Sequence, residues 1–339
     1  MGKKRLIQYD VIRVMAMLFV ICVHVKLKPF ASHRYISSGL YAVFFTCNGL
    51  FFMLSGKFNL SKKFDDVSKM KQFYIKNFKK IVIPFIVATL FLALGNMIQN
   101  HMTISVFDYF RYYKHYMADV APYSILWFMY PLFGMLISAP FLAKMLQNMD
   151  EKQLKLLMII SLIWVFITEN LGMYGYATHM RNFFITSTLV YFIGGYCLDH
   201  ITYKKLKPVH VILIGLVGLL VTIYIRVKYQ FKSAYDISLY YILFTFAVYW
   251  LGERFFDIKN HIVISIVETL AKYSFYVYMF HYIILNNVEG HFMTLSPSIH
   301  MLIVVILTLA LSLAWAMVFN VLIKLLEKFI YKLPLLKNS

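Results

Sequence analysis

Apolar runs of about twenty residues recur from one end of this chain to the other, and nothing else in it restricts the fold as strongly. A hydrocarbon layer about 30 Å thick is crossed by roughly 20 mostly apolar residues in a helix. Within that layer each backbone N–H and C=O must find its partner inside the segment. Ten stretches qualify: 8–27, 40–57, 81–99, 123–143, 155–173, 182–199, 209–227, 237–253, 269–287 and 301–323. The expectation is an all-α polytopic membrane protein of about ten transmembrane helices, one membrane domain over residues 1–339, multi-pass in the plasma (cell) membrane. A hydrophobic share of 61%, an aromatic share of 18% and a mean hydropathy of +0.68 exclude an ordinary soluble domain. No Gly/Ser linker or low-complexity segment divides the chain, and no internal repeat is evident. The first run lacks a small-residue cleavage site and is expected to be a retained helix. The stretch "HIVISIVETLAKY" before the ninth span reads as a short amphipathic segment at the interface.

The net charge of +19 would suggest nucleic acid in a soluble protein. Here the loops explain it. With the N-terminus inside, 23 Lys and Arg fall on the cytoplasmic side and nine on the other, eight of the 23 within 57–80. That bias predicts cytoplasmic N- and C-termini and an even number of spans. Membrane lipid is therefore the expected partner, and no nucleic acid. Cys22, Cys47 and Cys197 all lie in apolar runs and imply no disulfide framework. The eleven His show no ligand spacing with carboxylate or Cys nearby, so no metal is expected. Gly-x-Ser-x-Gly elbows and phosphate-cradling Gly loops are absent from the sequence.

The polar groups inside the runs carry the functional signal. In "YDVIRVMAMLFVICVH" (9–24), Arg13 and His24 stand eleven residues apart. That is close to three helical turns, so they share a face about 16 Å apart along the axis. Asp10, three residues before Arg13, can pair with it. With the N-terminus inside, Arg13 lies near the cytoplasmic end and His24 in the outer half. Arg13 could equally snorkel to headgroups and His24 bond a neighbouring helix. Ser274, Tyr278 and His281 form a second polar seam on one helix face, either a functional patch or interhelical packing.

These residues resemble a family. Arg, ten residues, His, in an Asp-x-x-Arg start to the first membrane helix, is similar to the acyltransferase-3 family of integral membrane O-acyltransferases. "FFMLSGKF" (51–58) resembles its Phe-rich Ser-Gly-Phe ending of the second helix, with Lys57 where an aromatic is usual. "KNFKKIVIPF" (76–85) resembles its basic entry to the third helix, with Lys for Arg. "SILWFMYPLFG" (124–134), "YFIGGYCL" (191–198) and "YSFYVYMFH" (273–281) resemble its Leu-Trp-Phe, Phe-x-x-Gly and Ser-Tyr-x-x-Tyr-x-x-His segments, with Phe275 in a Tyr place. The six motifs stand in the expected order across nearly the whole chain, and ten helices is the family's count.

The resemblance implies transfer of an acyl group, most simply acetyl, from cytoplasmic acyl-CoA to a hydroxyl of a cell-envelope or extracellular polysaccharide or of a lipid-linked sugar. Acyl-CoA would be a co-substrate, with no permanently bound cofactor. His24 suits the general base, needing an orienting partner from another helix that the sequence does not name. Arg13 suits the anionic donor, since a guanidinium can hold two phosphate oxygens at once. Lys76, Lys79 and Lys80 could extend that anion site, unless they only mark the positive-inside rule. Ser55 is a further donor-side candidate, His281 a further catalytic one, and Asp10, Trp127, Ser274 and Tyr278 supporting ones. Asp199 falls at a predicted span end, where solvation would explain it. A polysaccharide-precursor transporter, flippase or exporter would account for the spans and embedded charges as well, but not for the six motifs. A membrane sensing or scaffold domain would bind no CoA analogue. Oligomeric state is open at this level.

Overall fold

The structure, a computed structural model, describes residues 6–26, 33–121, 124–174, 185–201, 207–230, 237–292 and 294–330. Among them all regular structure is helical: α1 (Ile7–His24), α2 (Arg34–Leu60), α3 (Val67–Asn77), α4 (Ile83–Gln99), α5 (Val106–His115), α6 (Met129–Gln147), α7 (Glu151–Val165), α8 (Ser187–His200), α9 (Pro208–Tyr229), α10 (Leu239–Phe255), α11 (His261–Glu289) and α12 (Pro297–Ile330). Eight helical stretches among the described residues are long and apolar enough to cross a membrane. The predicted sixth and eighth spans are helical too, as α8 and α10, but only 14 and 17 residues long, about 21 and 25 Å at 1.5 Å per residue. Residues 182–184 of that sixth span lie outside the described residues, as do Lys3, Lys4, Arg5, Lys204 and Lys205 of the charge count. α8 is enclosed: Val190 through Cys197 are all buried, as suits a helix apolar on every side.

Two helices run further than the hydropathy suggested. α3 continues through a π turn, Phe78–Val82, into α4. Pro84 has no N–H for the usual ladder, and the turn before it widens, with the Ile83 N–H bonded back to the Phe78 carbonyl. The stretch at 261–273, expected as a separate interfacial segment, is instead the first part of α11, which runs unbroken to Glu289. The Asn260 side chain caps the start of that helix, accepting from the N–H groups of Ile262 and Val263 at 2.9 and 3.2 Å.

The site depends on how α1, α2, α8 and α11 pack. α1 lies against both α2 and α11, and α2 lies along α8. The last pair touches backbone to backbone. A Cβ on Gly56 would sit 1.6 Å from the Phe192 carbonyl oxygen, and one on Gly195 would sit 1.9 Å from that of Met53. Small residues permit this approach in membrane bundles, which gives "SGKF" and "FIGG" a physical meaning. The outward faces of α9 and α12 present Leu213, Leu220, Leu302 and Val318, as lipid-facing surfaces would.

Candidate active site

At the end of the bundle where α1 begins, a cavity of about 1270 Å³ opens between α1, α2 and α3. It is larger than the roughly 300–1,000 Å³ of ordinary small-molecule pockets. Its wall carries Arg13, Lys57, Lys62, Lys63, Lys69 and Lys76, against one carboxylate, Asp10. The Asp66 side chain caps α3 through the Lys69 N–H at 2.8 Å. Gln147 holds the preceding loop by donating to the carbonyls of Leu60 and Lys62 at 2.7 and 2.9 Å. Lys62 donates to Asn59 Oδ1 at 2.6 Å and lies over the Phe73 ring. Burial, helped by the nearby ammonium groups of Lys76 and Lys80, pulls its pKa down to about 8.

A second, narrower cavity of about 260 Å³ continues inward, lined among others by Arg13, Ser55, Lys80, Phe128, Ser274 and Tyr278. Arg13 lines both cavities. Its guanidinium donates to Asp10 Oδ1 at 2.9 Å and stands over the Phe58 ring; the predicted Asp10–Arg13 pair is present. With 29% of its side chain exposed, Arg13 stays within reach of a molecule entering from the wide side. The Tyr278 hydroxyl donates to the Ile125 carbonyl at 2.5 Å, fixing the start of α6 against α11. Ser274 donates to the Ala271 carbonyl in its own helix.

At the far end of α1, the His24 ring lies 5.4 Å, centroid to centroid, from that of His281 and 5.3 Å from that of Tyr282. His281 is fully buried. Its Nδ1 sits 2.7 Å from the Tyr278 carbonyl oxygen, which can only accept, so the proton of the neutral ring is on Nδ1. Nε2 is then a bare acceptor, buried with no hydrogen-bond partner among the described residues. Buried polar atoms without partners are rare in folded proteins. His281 thus joins Tyr278 on the inner cavity to His24, while His24 itself lines neither cavity.

Of the sequence-predicted residues, Asp10, Arg13 and Lys76 meet on the large cavity, and Arg13, Ser55, Lys80, Ser274 and Tyr278 on the small one. His24 and His281 meet each other. Lys79 and Trp127 line neither cavity; the Trp127 ring is partly exposed and packs edge-on against Phe128. Sequence reasoning missed Lys62, Lys63 and Lys69, which the positive-inside rule had absorbed. It also missed what Lys57 does. Lys57 Nζ pairs with Asp199 of α8 and, at 3.2 Å, with Glu253 of α10; the Tyr9 hydroxyl donates to Glu253. Asp199 is therefore not a solvated span end: it and Glu253 are 17% and 19% exposed and share one ammonium. The network ties α1, α2, α8 and α10 beside the large cavity. Removing one member of such a cluster strands the others. Lys57→Met is expected to destabilise the protein by about 3 kcal/mol, measured as a lowered thermal midpoint in detergent. An unchanged midpoint would show that the carboxylates are hydrated instead.

The family model described as an acyltransferase domain, that of the acyltransferase-3 family, matches residues 6–321 of the 339. No curated protein and no solved structure matches the chain.

Proposed function

Because the chain belongs to the acyltransferase-3 family and is an integral membrane acyltransferase, we propose that it moves an acetyl group from cytoplasmic acetyl-CoA to a sugar hydroxyl of a cell-envelope polysaccharide or lipid-linked glycan. One observation carries this reading: Arg13 stands where a wide basic cavity meets a narrow interior one. A polyphosphorylated donor with a slender acyl-bearing arm has that same division. Its phosphates suit Arg13, Lys62, Lys69 and Lys76. Its slender arm suits the space between Ser55, Ser274 and Tyr278, with the thioester reaching past Tyr278 toward the His281 and His24 rings.

In the chemical step His24 takes the proton of the acceptor hydroxyl as the oxygen attacks the thioester carbonyl. The C–S bond breaks, and the thiolate of CoA leaves with that proton. The bare Nε2 of His281 accepts an N–H from His24 as the two rings align, which fixes the tautomer that leaves the other His24 nitrogen basic. Arg13 balances the donor's negative charge. The termini lie on the cytoplasmic side in this reading, so donor enters at the α1 start and acceptor reaches the His24 end.

The test supplies membranes with acetyl-CoA labelled in its acetyl group and follows label into the glycan and lipid-linked sugar fractions. Label in neither, with active donor and folded protein, rejects the acceptor class. A pH effect follows as well. Lys62 loses its charge as pH rises through about 8, so the donor KM should climb above that pH and stay low beneath it. In Lys62→Met the climb should largely vanish, with a KM already high at pH 7. An identical profile in both proteins would remove Lys62 from the donor site.

A further inference from the structure

A buried carboxylate at the far end of the bundle has no place in the mechanism so far. Glu289, the last residue of α11, is 2% exposed. The position is unfavourable twice over, since burial disfavours a carboxylate and the negative end of the helix dipole repels it. What it holds is the exit of α1. Its Oε1 accepts the backbone N–H of Lys26 at 2.7 Å, and its Oε2 lies 3.1 Å from Lys26 Nζ. His300 Nε2, from α12, lies 3.8 Å from the same carboxylate. Between this contact and the histidines, Val25 is buried in a cluster with Leu285, Val288 and Val304.

α1 and α11 are thus joined near that end by the His24–His281 ring contact, by Val25, and by Lys26–Glu289. Eight residues separate His281 from Glu289 on α11, about 12 Å along the axis; two separate His24 from Lys26. We propose that Glu289 is a positioning residue: by gripping the backbone just past the end of α1, it holds the His24 ring against His281. This rests on His24 acting in acyl transfer. The local rules for a helix end are broken here, as is expected where function requires it.

Purified Glu289→Leu, Glu289→Gln, Lys26→Pro and Lys26→Met are compared with wild type for kcat and acetyl-CoA KM per folded molecule. Lys26→Pro deletes the gripped N–H together with the ammonium beside Oε2. Lys26→Met deletes the ammonium alone and should keep most of the rate. Val25 already has the extended backbone, φ −67° and ψ 132°, that precedes proline readily. The expected result is a kcat about 100-fold lower in Glu289→Leu and Lys26→Pro, the scale of a 1 Å misplacement, with donor KM close to that of wild type. Glu289→Gln, which keeps an oxygen for the N–H, recovers most of the lost rate. Wild-type kcat in folded Lys26→Pro, or a loss appearing mainly in donor KM, overturns the proposal while leaving His24 untouched. If Glu289→Leu does not fold, Lys26→Pro and Glu289→Gln decide alone. Full activity in His24→Ala would instead remove the reading on which the proposal stands.

Discussion

Membranes carrying His24→Ala should transfer acyl groups about 10²- to 10⁴-fold more slowly than wild type, the usual contribution of a positioned general base, with unchanged protein abundance. The expectation follows from geometry. His24 ends α1 beside the buried His281 ring, whose Nδ1 is committed to the Tyr278 carbonyl and whose Nε2 is bare. Removing the imidazole takes away the proton acceptor and leaves the Arg13 cavities, about 16 Å down the helix, intact. The defect should therefore lie in kcat, with donor KM unaffected. His281→Ala should produce a smaller loss of the same kind, because it deprives His24 of its neighbour without removing the base. Arg13→Ala should act in the other parameter, raising donor KM. Arg13→Lys should restore little, since an ammonium is a point charge and cannot fork onto two phosphate oxygens. A loss of acyl transfer in His24→Ala that only matches the loss of protein, with kcat per folded molecule unchanged, would make the residue structural.

The second large effect concerns folding. Gly195→Ala and Gly56→Ala each drive a methyl group into a backbone oxygen of the facing helix, at 1.9 and 1.6 Å in the present packing. A flexible side chain could swing aside from such a contact; a carbonyl in a helical ladder cannot. Overfilling a packed interior usually costs about 1–3 kcal/mol, and a collision with backbone belongs at or beyond the upper end. Each substitution should lower the thermal midpoint in detergent more than any apolar shortening on the lipid-facing sides of α9 or α12. Gly134, with nothing within 4 Å of an added Cβ, serves as the control and should accept alanine with little change. Stability equal to wild type in Gly195→Ala would mean that α2 and α8 are further apart than described.

Much of this was legible in the amino-acid order, and the rest was hidden for definite reasons. Hydropathy located the helices because a membrane segment must be apolar for its full length. It could not distinguish α8, short and enclosed by protein, from a spanning helix, since both are uniformly apolar. The Asp10–Arg13 pair was readable from helical spacing alone, and the ring contact between His24 and His281, on helices far apart in the chain, was not. Local pattern carries no information on which distant helix lies alongside. Lys57, an oddity within an apolar motif, was the signal for a buried charge cluster, but its two carboxylates sit on α8 and α10. The basic loop at 57–80 was overexplained: orientation by charge accounts for its sign, and so hid that Lys62, Lys63 and Lys69 join the expected Lys76 on one cavity.

In the proposed reaction one end of α1 holds the donor and the other performs the transfer, and every other step depends on that division. Calorimetric titration of CoA into the detergent-purified wild type, Arg13→Ala and His24→Ala tests it most directly. Wild type and His24→Ala should bind with equal affinity, and Arg13→Ala about 10- to 100-fold more weakly, the scale of a lost charge-assisted contact. Binding that is indifferent to Arg13 but abolished by His24→Ala would contradict it.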